Sequence, residues 1–338
     1  MPLAFHNNME LLILVFLLAL PNLILANLCS TKCCCNFASI TPSIDCSSQE
    51  LKSFNWSNVP FEKFKDNIVR INLDHNQLTE LEEIPAGIPI EELSLRSNSL
   101  ISIQNGALQN LVHLSKLDLS FNNLTKLIRE TFQGPQREGL GTPSPLRSLD
   151  LSFNNLESLP KTAFEFLIHL EDINLSGNPL KLVHDQATLT AVGSLTKVVR
   201  MKLGQIGIDN VPRHFLKGLI NLKELDLSRN KLKTVPSEIH YGGSHLQKLV
   251  LDNNPMTSLP PHSFQDMDSL QELSLCNMPK LAEIQEAAFV GLRNLSILQI
   301  NNNRMLGFID PDAFMDFQYP MVLKNLTLND NFLRYLPR

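Results

Sequence analysis

The 338 residues include one tryptophan, three tyrosines and no block of lysine or arginine. With 29 basic against 34 acidic residues the formal net charge is -5, which leaves no electrostatic footprint for a phosphate backbone and removes nucleic acid as an expected partner. Beyond residue 28 no stretch approaches the roughly 20 apolar residues that cross a bilayer. No nucleophile, base and oxyanion-donor pattern stands out, so neither an enzyme nor a cofactor is expected.

Cysteine is scarce but crowded: of six in the chain, four fall between Cys29 and Cys35. Directly before them runs Leu11 to Leu20, LLILVFLLAL, which has the length of a signal-peptide core, with Ala26 as a small residue at the cleavage position. Residues 1–26 read as a secretory signal. A membrane association would require that this segment be retained or that the chain be a fragment. In an oxidising lumen close thiols become disulfides and not zinc ligands. Leu28 stands where a lipid anchor would want a small residue. Spacing alone allows three pairings of Cys29, Cys33, Cys35 and Cys46.

Past the cysteines the chain repeats itself. Leu117-Asp118-Leu119-Ser120-Phe121-Asn122-Asn123-Leu124 and Leu149-Asp150-Leu151-Ser152-Phe153-Asn154-Asn155-Leu156 fit one template, L-x-x-L-x-L-x-x-N-x-L. Copies begin at Ile68, Ile90, Leu114, Leu146, Leu170, Val198, Leu222, Leu246, Leu270, Leu295 and Leu323, most often 24 residues apart. Around L-x-L the apolar residues alternate, the period of a strand with one buried face. So short a strand cannot cover its own leucines, and stacking the copies in parallel buries them in one continuous core.

The template asparagines at 76, 98, 122, 154, 178, 230, 254, 303 and 331 are expected to hydrogen-bond backbone groups at the turn leaving each strand. Ile206 and Met278 replace them in the sixth and ninth copies, so interruptions are expected there. Phe132, Phe164, Phe215, Phe264, Phe289 and Phe314 form a second period that should stack inside the opposite wall.

These residues resemble the extracellular leucine-rich repeat superfamily, with its 24-residue unit and phenylalanine spine. The resemblance implies an α/β solenoid bent into a horseshoe, with parallel strands on the concave face and short irregular or 3₁₀ segments on the convex face. It extends to the cysteines, which match a cap of the form C-x(3)-C-x-C-x(n)-C, and implies the pairs Cys29–Cys35 and Cys33–Cys46. The organisation is then a signal at 1–26, a disulfide-stapled cap at 27–66 and eleven repeats at 67–338. Cys34 is a thiol outside the family pattern. Cys276, eight strand spacings of about 4.8 Å away, lies too far off to pair with it, so both read as unpaired or intermolecular.

The pattern breaks in places. Residues 133–145, QGPQREGLGTPSP, lengthen the third copy and read as an exposed loop, either a recognition element or a tolerated insertion. The fifth copy is extended by HDQATLTAVGSLTK, whose spacing at Leu189, Val192 and Leu195 reads as a helical turn or two. No cysteine-containing cap follows the last copy, which reads as a truncated product or a short isoform. His113 and His169 recur before template leucines as structural residues. His240 and His245 flank Tyr241-Gly242-Gly243, read as a flexible loop with too few ligands for a metal.

The outward strand residues are where a partner would bind. They carry charges of both signs, with no single-sign field. Five N-x-S/T acceptors, Asn55, Asn123, Asn174, Asn294 and Asn325, fit an exported chain. Sugars on Asn174 and Asn325 would shield their parts of the concave face and move the candidate surface to Arg200, Lys202, Glu224, Asp226 and Lys248. What the resemblance implies is a glycosylated recognition module for an extracellular or cell-surface protein, in adhesion, receptor-type ligand capture or matrix binding. A truncated receptor ectodomain acting as a decoy, or a structural matrix component, are the alternatives.

Overall fold

The computed structural model describes residues 29, 32–37, 41–59, 67–137, 140–315 and 322–335. The signal-like segment 1–26, part of the cap and the last three residues lie outside the described residues.

Thirteen strands form one sheet. Two come from the cap, Cys34–Asn36 and Ser43–Asp45, and eleven from the repeats, beginning with Val69–Asn72 and Ile90–Ser94 and ending with Asn325–Thr327. Every neighbouring pair is parallel except the first, where Cys34 opposes Asp45 in antiparallel register. Each repeat strand has only three to five residues, so its stability lies in its neighbours. Leu93, Leu117, Leu149 and Leu225 at the strand centres are each 1 % exposed, and covering one such side chain is worth about 1.5–3 kcal/mol. On the last described strand Leu326 is 39 % exposed, because a neighbour covers it on one side only.

The strand ends share one device. The residue before the template asparagine has positive φ in all eleven repeats, from His75 at 55° to Asp330 at 56°. Only Gly177 among them is a glycine, although the left-handed region costs other residues about 1–2 kcal/mol. The asparagine helps to hold this turn. Asn122 Nδ2 donates to Leu95 O of the preceding repeat and to Leu119 O of its own, both at 3.0 Å, while its Oδ1 accepts from Leu100 N. As expected, the ladder is interrupted where Ile206 and Met278 stand. Yet Gln205 and Asn277 keep φ at 55° and 56°. Their N–H groups still donate to Ser228 O and Asn301 O, so the stacked backbone sets the turn even without the amide.

On the opposite wall the expectation of a continuous phenylalanine spine needs correction. Phe132 meets Phe164 at 6.3 Å, and Phe264, Phe289 and Phe314 follow one another at 5.9 and 4.9 Å. Phe215, buried on the 3₁₀ turn Phe215–Gly218, stands between these two groups. Its neighbouring repeats fill the wall with short helices, Gln186–Gly193 and Ser237–Gly242, both packed on its turn. Ala191, Val192 and Ile239, each 0 % exposed, replace the ring there.

The first helix follows the expected spacing and is capped by Asp185, which accepts from Ala187 N at 3.0 Å. The second corrects the reading of a flexible loop at Tyr241-Gly242-Gly243. Gly243 closes that helix by donating to Ile239 O at 2.7 Å, in a space where any Cβ would meet that same oxygen at 2.3 Å.

Residues 133–145 are exposed at their described tip as expected, with Leu140 at 74 %, but their described part is not irregular throughout. Gln136–Arg137 and Leu140–Gly141 pair as an antiparallel hairpin. Its base is tied down by Gly134 N to Thr142 O and by Ser144 N to Phe166 O, both 2.9 Å.

At the N-terminal end Cys29 is bonded to Cys35 and Cys33 to Cys46. The cap lays Ile44, 0 % exposed, against Ile71 of the first repeat. Trp56 packs edge-on against Phe54 at 4.8 Å.

Candidate functional site

Parallel sheets normally carry helices on both faces; here the outward strand residues are left to solvent. Strand register sorts them into rows. The first row reads Arg70, Glu92, Lys116, Ser148, Asp172, Arg200, Glu224, Lys248, Glu272, alternating in sign wherever it is charged. Neighbours pair accordingly. Arg70 meets Glu92 at 3.3 Å, Lys116 meets Glu92 at 3.9 Å and Lys248 meets Glu272 at 2.8 Å. Arg200 is bonded to Asp172, which raises the guanidinium pKa above its ordinary value. Glu272 does the same to Lys248. Such exposed pairs are worth about 0–1 kcal/mol each, and together they cancel the field of the row.

The five residues singled out in the sequence, Arg200, Lys202, Glu224, Asp226 and Lys248, lie together on three adjacent strands. They line one shallow depression over Met201, Leu225 and Val250. Arg200 and Lys248 are already engaged by carboxylates, whereas Lys202 makes no ion pair among the described residues. A second depression lies at the cap end, lined by residues that include Asp45, Arg70, Asp74, Lys116 and Asp118.

The next row is not self-neutralised. It places Asp118 beside Asp150, Asn174, Lys202 and Asp226. Burial pushes the Asp118 carboxyl pKa up; hydrogen bonds from Ser120 oppose this, while Asp150 and Asp74 add to it. Asp252 is raised in the same way by burial, opposed by Cys276 N at 2.8 Å and Ser274 Oγ at 2.7 Å.

Where the chain leaves these strands, the structure shows a feature that the sequence reading missed. Phe121 and Phe153 stack at 4.4 Å with 17° between their planes, and they are 39 % and 37 % exposed. The Arg96 guanidinium lies 4.2 Å over the Phe121 ring. At the far end Gly177 leaves room for Phe153, since a Cβ there would meet the ring at 2.6 Å. The available signal was the twice-repeated Ser-Phe-Asn-Asn at 120–123 and 152–155.

A family model described as "Leucine rich repeat" matches residues 88–137, 144–190, 220–277 and 244–305, over half of the chain. The chain belongs to the leucine-rich repeat family. Among curated proteins this leucine-rich repeat chain is similar to keratocan of Gallus gallus, 28 % identical over 160 residues, 46 % of this chain and 41 % of that one. It is also 46 % identical over 59 residues to keratocan of Coturnix japonica, 16 % of this chain and 17 % of that one. The matches therefore span less than half the length of these relatives. Among solved structures it resembles a chain of the Drosophila Toll–Spätzle complex, with a TM-score of 0.59 and 23 % identity, over 81 % of this chain and 38 % of that one. This last likeness concerns the fold.

The other candidate residues of the leucine-rich repeat are dispersed. Asn55, Asn123, Asn294 and Asn325 are exposed. Asn174 is half-buried, donating to Asp150 Oδ2 at 2.9 Å and accepting from Ser176 N at 3.1 Å. Cys34 is an exposed free thiol on the outermost strand of the sheet. Cys276 is free but 8 % exposed, and its sulfur accepts from Asn301 N at 3.4 Å. His113, His169 and His245 are exposed and apart, and His240 is bonded to Ser263 O at 2.9 Å. No group of three or more His, Cys, Asp or Glu able to hold a metal ion occurs among the described residues.

Proposed function

We propose that the chain is a non-enzymatic extracellular recognition module that binds a protein partner on its strand face, in adhesion, receptor-type ligand binding or matrix attachment. The observation that carries this reading is a thirteen-strand sheet whose outward side chains no helix among the described residues covers, against the ordinary habit of parallel sheets. The two cap disulfides suit an oxidising compartment, reached through residues 1–26 acting as a secretory signal. The likeness to Toll, whose solved complex is with Spätzle, supports a protein as the partner class. The exposed Asn55, Asn123, Asn294 and Asn325 are the N-glycan acceptors in this reading, whereas Asn174, half-buried and held by Asp150 and Ser176, stays bare.

Single substitutions that create N-glycan acceptors test it. Asp226→Asn converts Asp226-Leu227-Ser228 on the strand face, and Gln186→Asn converts Gln186-Ala187-Thr188 on the opposite wall. The secreted chain is expected to bind cultured cells saturably at trypsin-sensitive sites. The glycan at 226 should abolish this binding, and the one at 186 should leave it intact. Binding that ignores the first glycan and is lost with the second, or no trypsin-sensitive binding at all, would overturn the reading.

A further inference from the structure

The uncovered face is not chemically uniform, and one part of it is specific enough to define a partner. The alternating row from Arg70 to Glu272 satisfies its own charges across neighbouring strands, so it offers a partner little net potential. Asp118 and Asp150 differ. They are directly paired in register, and neither has a cationic partner among the described residues. Three residues further along the same two chain segments stand Phe121 and Phe153, stacked and half-exposed. Two carboxylates without an ion pair and two exposed rings thus lie three residues apart on the same two neighbouring segments.

We infer that this ledge, Asp118 and Asp150 with Phe121 and Phe153, is the docking site for an arginine-bearing segment of the partner protein. The guanidinium pairs with the two carboxylates while the apolar stem of the side chain lies across the exposed ring edges. The inference rests on the recognition reading above and adds a place and a chemistry to it.

Three observations support arginine. The molecule already seats one guanidinium on this stack, Arg96 at 4.2 Å from the Phe121 ring, so the rings accept that group. Asp118 and Asp150 carry like charges side by side, and burial together with Asp150 and Asp74 raises the Asp118 pKa; a planar, bidentate cation relieves that repulsion better than a compact ammonium. The site is also preorganised. Asp150 is held by Ser152 N at 2.8 Å and Asn174 Nδ2 at 2.9 Å, and Phe153 is packed between Phe121 and Gly177. A rigid site loses little freedom when a partner side chain arrives.

The test uses the full secreted chain and a fluorescein-labelled hexa-arginine peptide, read by anisotropy. The paired substitution Asp118→Ser with Asp150→Ser keeps the row's own chemistry, since Ser94 and Ser274 occupy equivalent positions, and it creates no glycan acceptor. It should weaken binding at least about tenfold, as loss of a bidentate charged contact does. Phe121→Ala with Phe153→Ala should weaken it by about fivefold or more. A hexa-lysine peptide should bind less tightly than hexa-arginine. Asp209→Asn with Glu238→Gln removes the same charge away from the strand face and should leave binding unchanged. Circular dichroism melts confirm that each variant is folded. Equal weakening by the distant pair would reduce the effect to general charge attraction and overturn the site, as would indifference to the ring truncations. If the ledge variants still bind cells at trypsin-sensitive sites as the parent does, the ledge fails while the recognition reading stands.

Discussion

Asn154 donates from Nδ2 to Leu119 O at 2.9 Å, across 35 positions of sequence, and to Leu151 O of its own strand at 3.0 Å. Its Oδ1 accepts from Leu124 N at 3.0 Å, and the residue is 3 % exposed. One buried amide therefore fastens two repeats at three backbone points. Asn154→Leu leaves Leu124 N without a partner and removes one of two donors from Leu119 O and Leu151 O, which still accept from Asn122 and Asn178; it should cost about 1–3 kcal/mol, read as a lowered urea midpoint at constant slope. Asn331→Leu, on the last described repeat and partly exposed, should cost less than half as much. Equal costs at the two positions would contradict this account of the ladder.

The helix Gln186–Gly193 is joined to the wall through Thr188. Its Oγ1 donates to Asp185 Oδ2 at 2.6 Å and accepts from Leu159 N at 2.8 Å, fully buried. Thr188→Val strands the Leu159 N–H and should cost about 1–3 kcal/mol. Asp185→Ala removes a helix cap worth about 1 kcal/mol. Thr190→Val, on the exposed side of the same helix, should stay within about 0.5 kcal/mol of the parent. Amide exchange at Leu159 reports the first effect directly, and protection unchanged in Thr188→Val would refute it.

Asp118 makes stability depend on pH in a defined direction. Its pKa in the folded chain lies above the ordinary aspartate value, through burial and then through Asp150 and Asp74. The folded state therefore takes up the proton at a higher pH than the unfolded chain does. The charged form costs stability at neutral pH, and this cost shrinks as pH falls through the raised folded value. It is gone below the unfolded value near 4. Asp118→Ser should accordingly gain stability relative to the parent at pH 7, with the gain falling away toward about pH 4. Denaturation at both pH values checks it, and a larger relative gain at the acid end would reverse the assignment.

The cap is expected to act locally. Cys33→Ser with Cys46→Ser opens a disulfide spanning 13 residues, which contributes about 3 kcal/mol. In a solenoid each unit contacts only its neighbours, so amide exchange should quicken at Leu73 and Leu95 and stay unchanged at Leu251. Uniform loss of protection along the stack would show coupling beyond nearest neighbours.

Much of the architecture was legible because the chain repeats. Eleven copies of the leucine spacing led to eleven repeat strands, and Ile206 and Met278 marked the interruptions in the asparagine ladder. The helix at 186–193 was legible from Leu189, Val192 and Leu195. Other parts were not. Gly134, Pro135 and Gly141 read as loop punctuation, yet they sit in and beneath a strand pair that joins Gln136–Arg137 to Leu140–Gly141. Tyr241-Gly242-Gly243 read as flexible, because nothing local reveals that Ile239 is 0 % exposed against the 3₁₀ turn holding Phe215. The ledge was hidden in Ser-Phe-Asn-Asn, where neither phenylalanine shows that it will meet the other.

By itself the sequence determined that this chain stacks. Leucines spaced for one-faced strands too short to cover themselves can be buried only against further copies. The tertiary structure alone decided which surface charges cancel and which remain, because strand register makes side chains about two dozen residues apart into neighbours about 5 Å apart. That register gives Glu92 its two cations, leaves Asp118 beside Asp150, and brings Phe121 against Phe153.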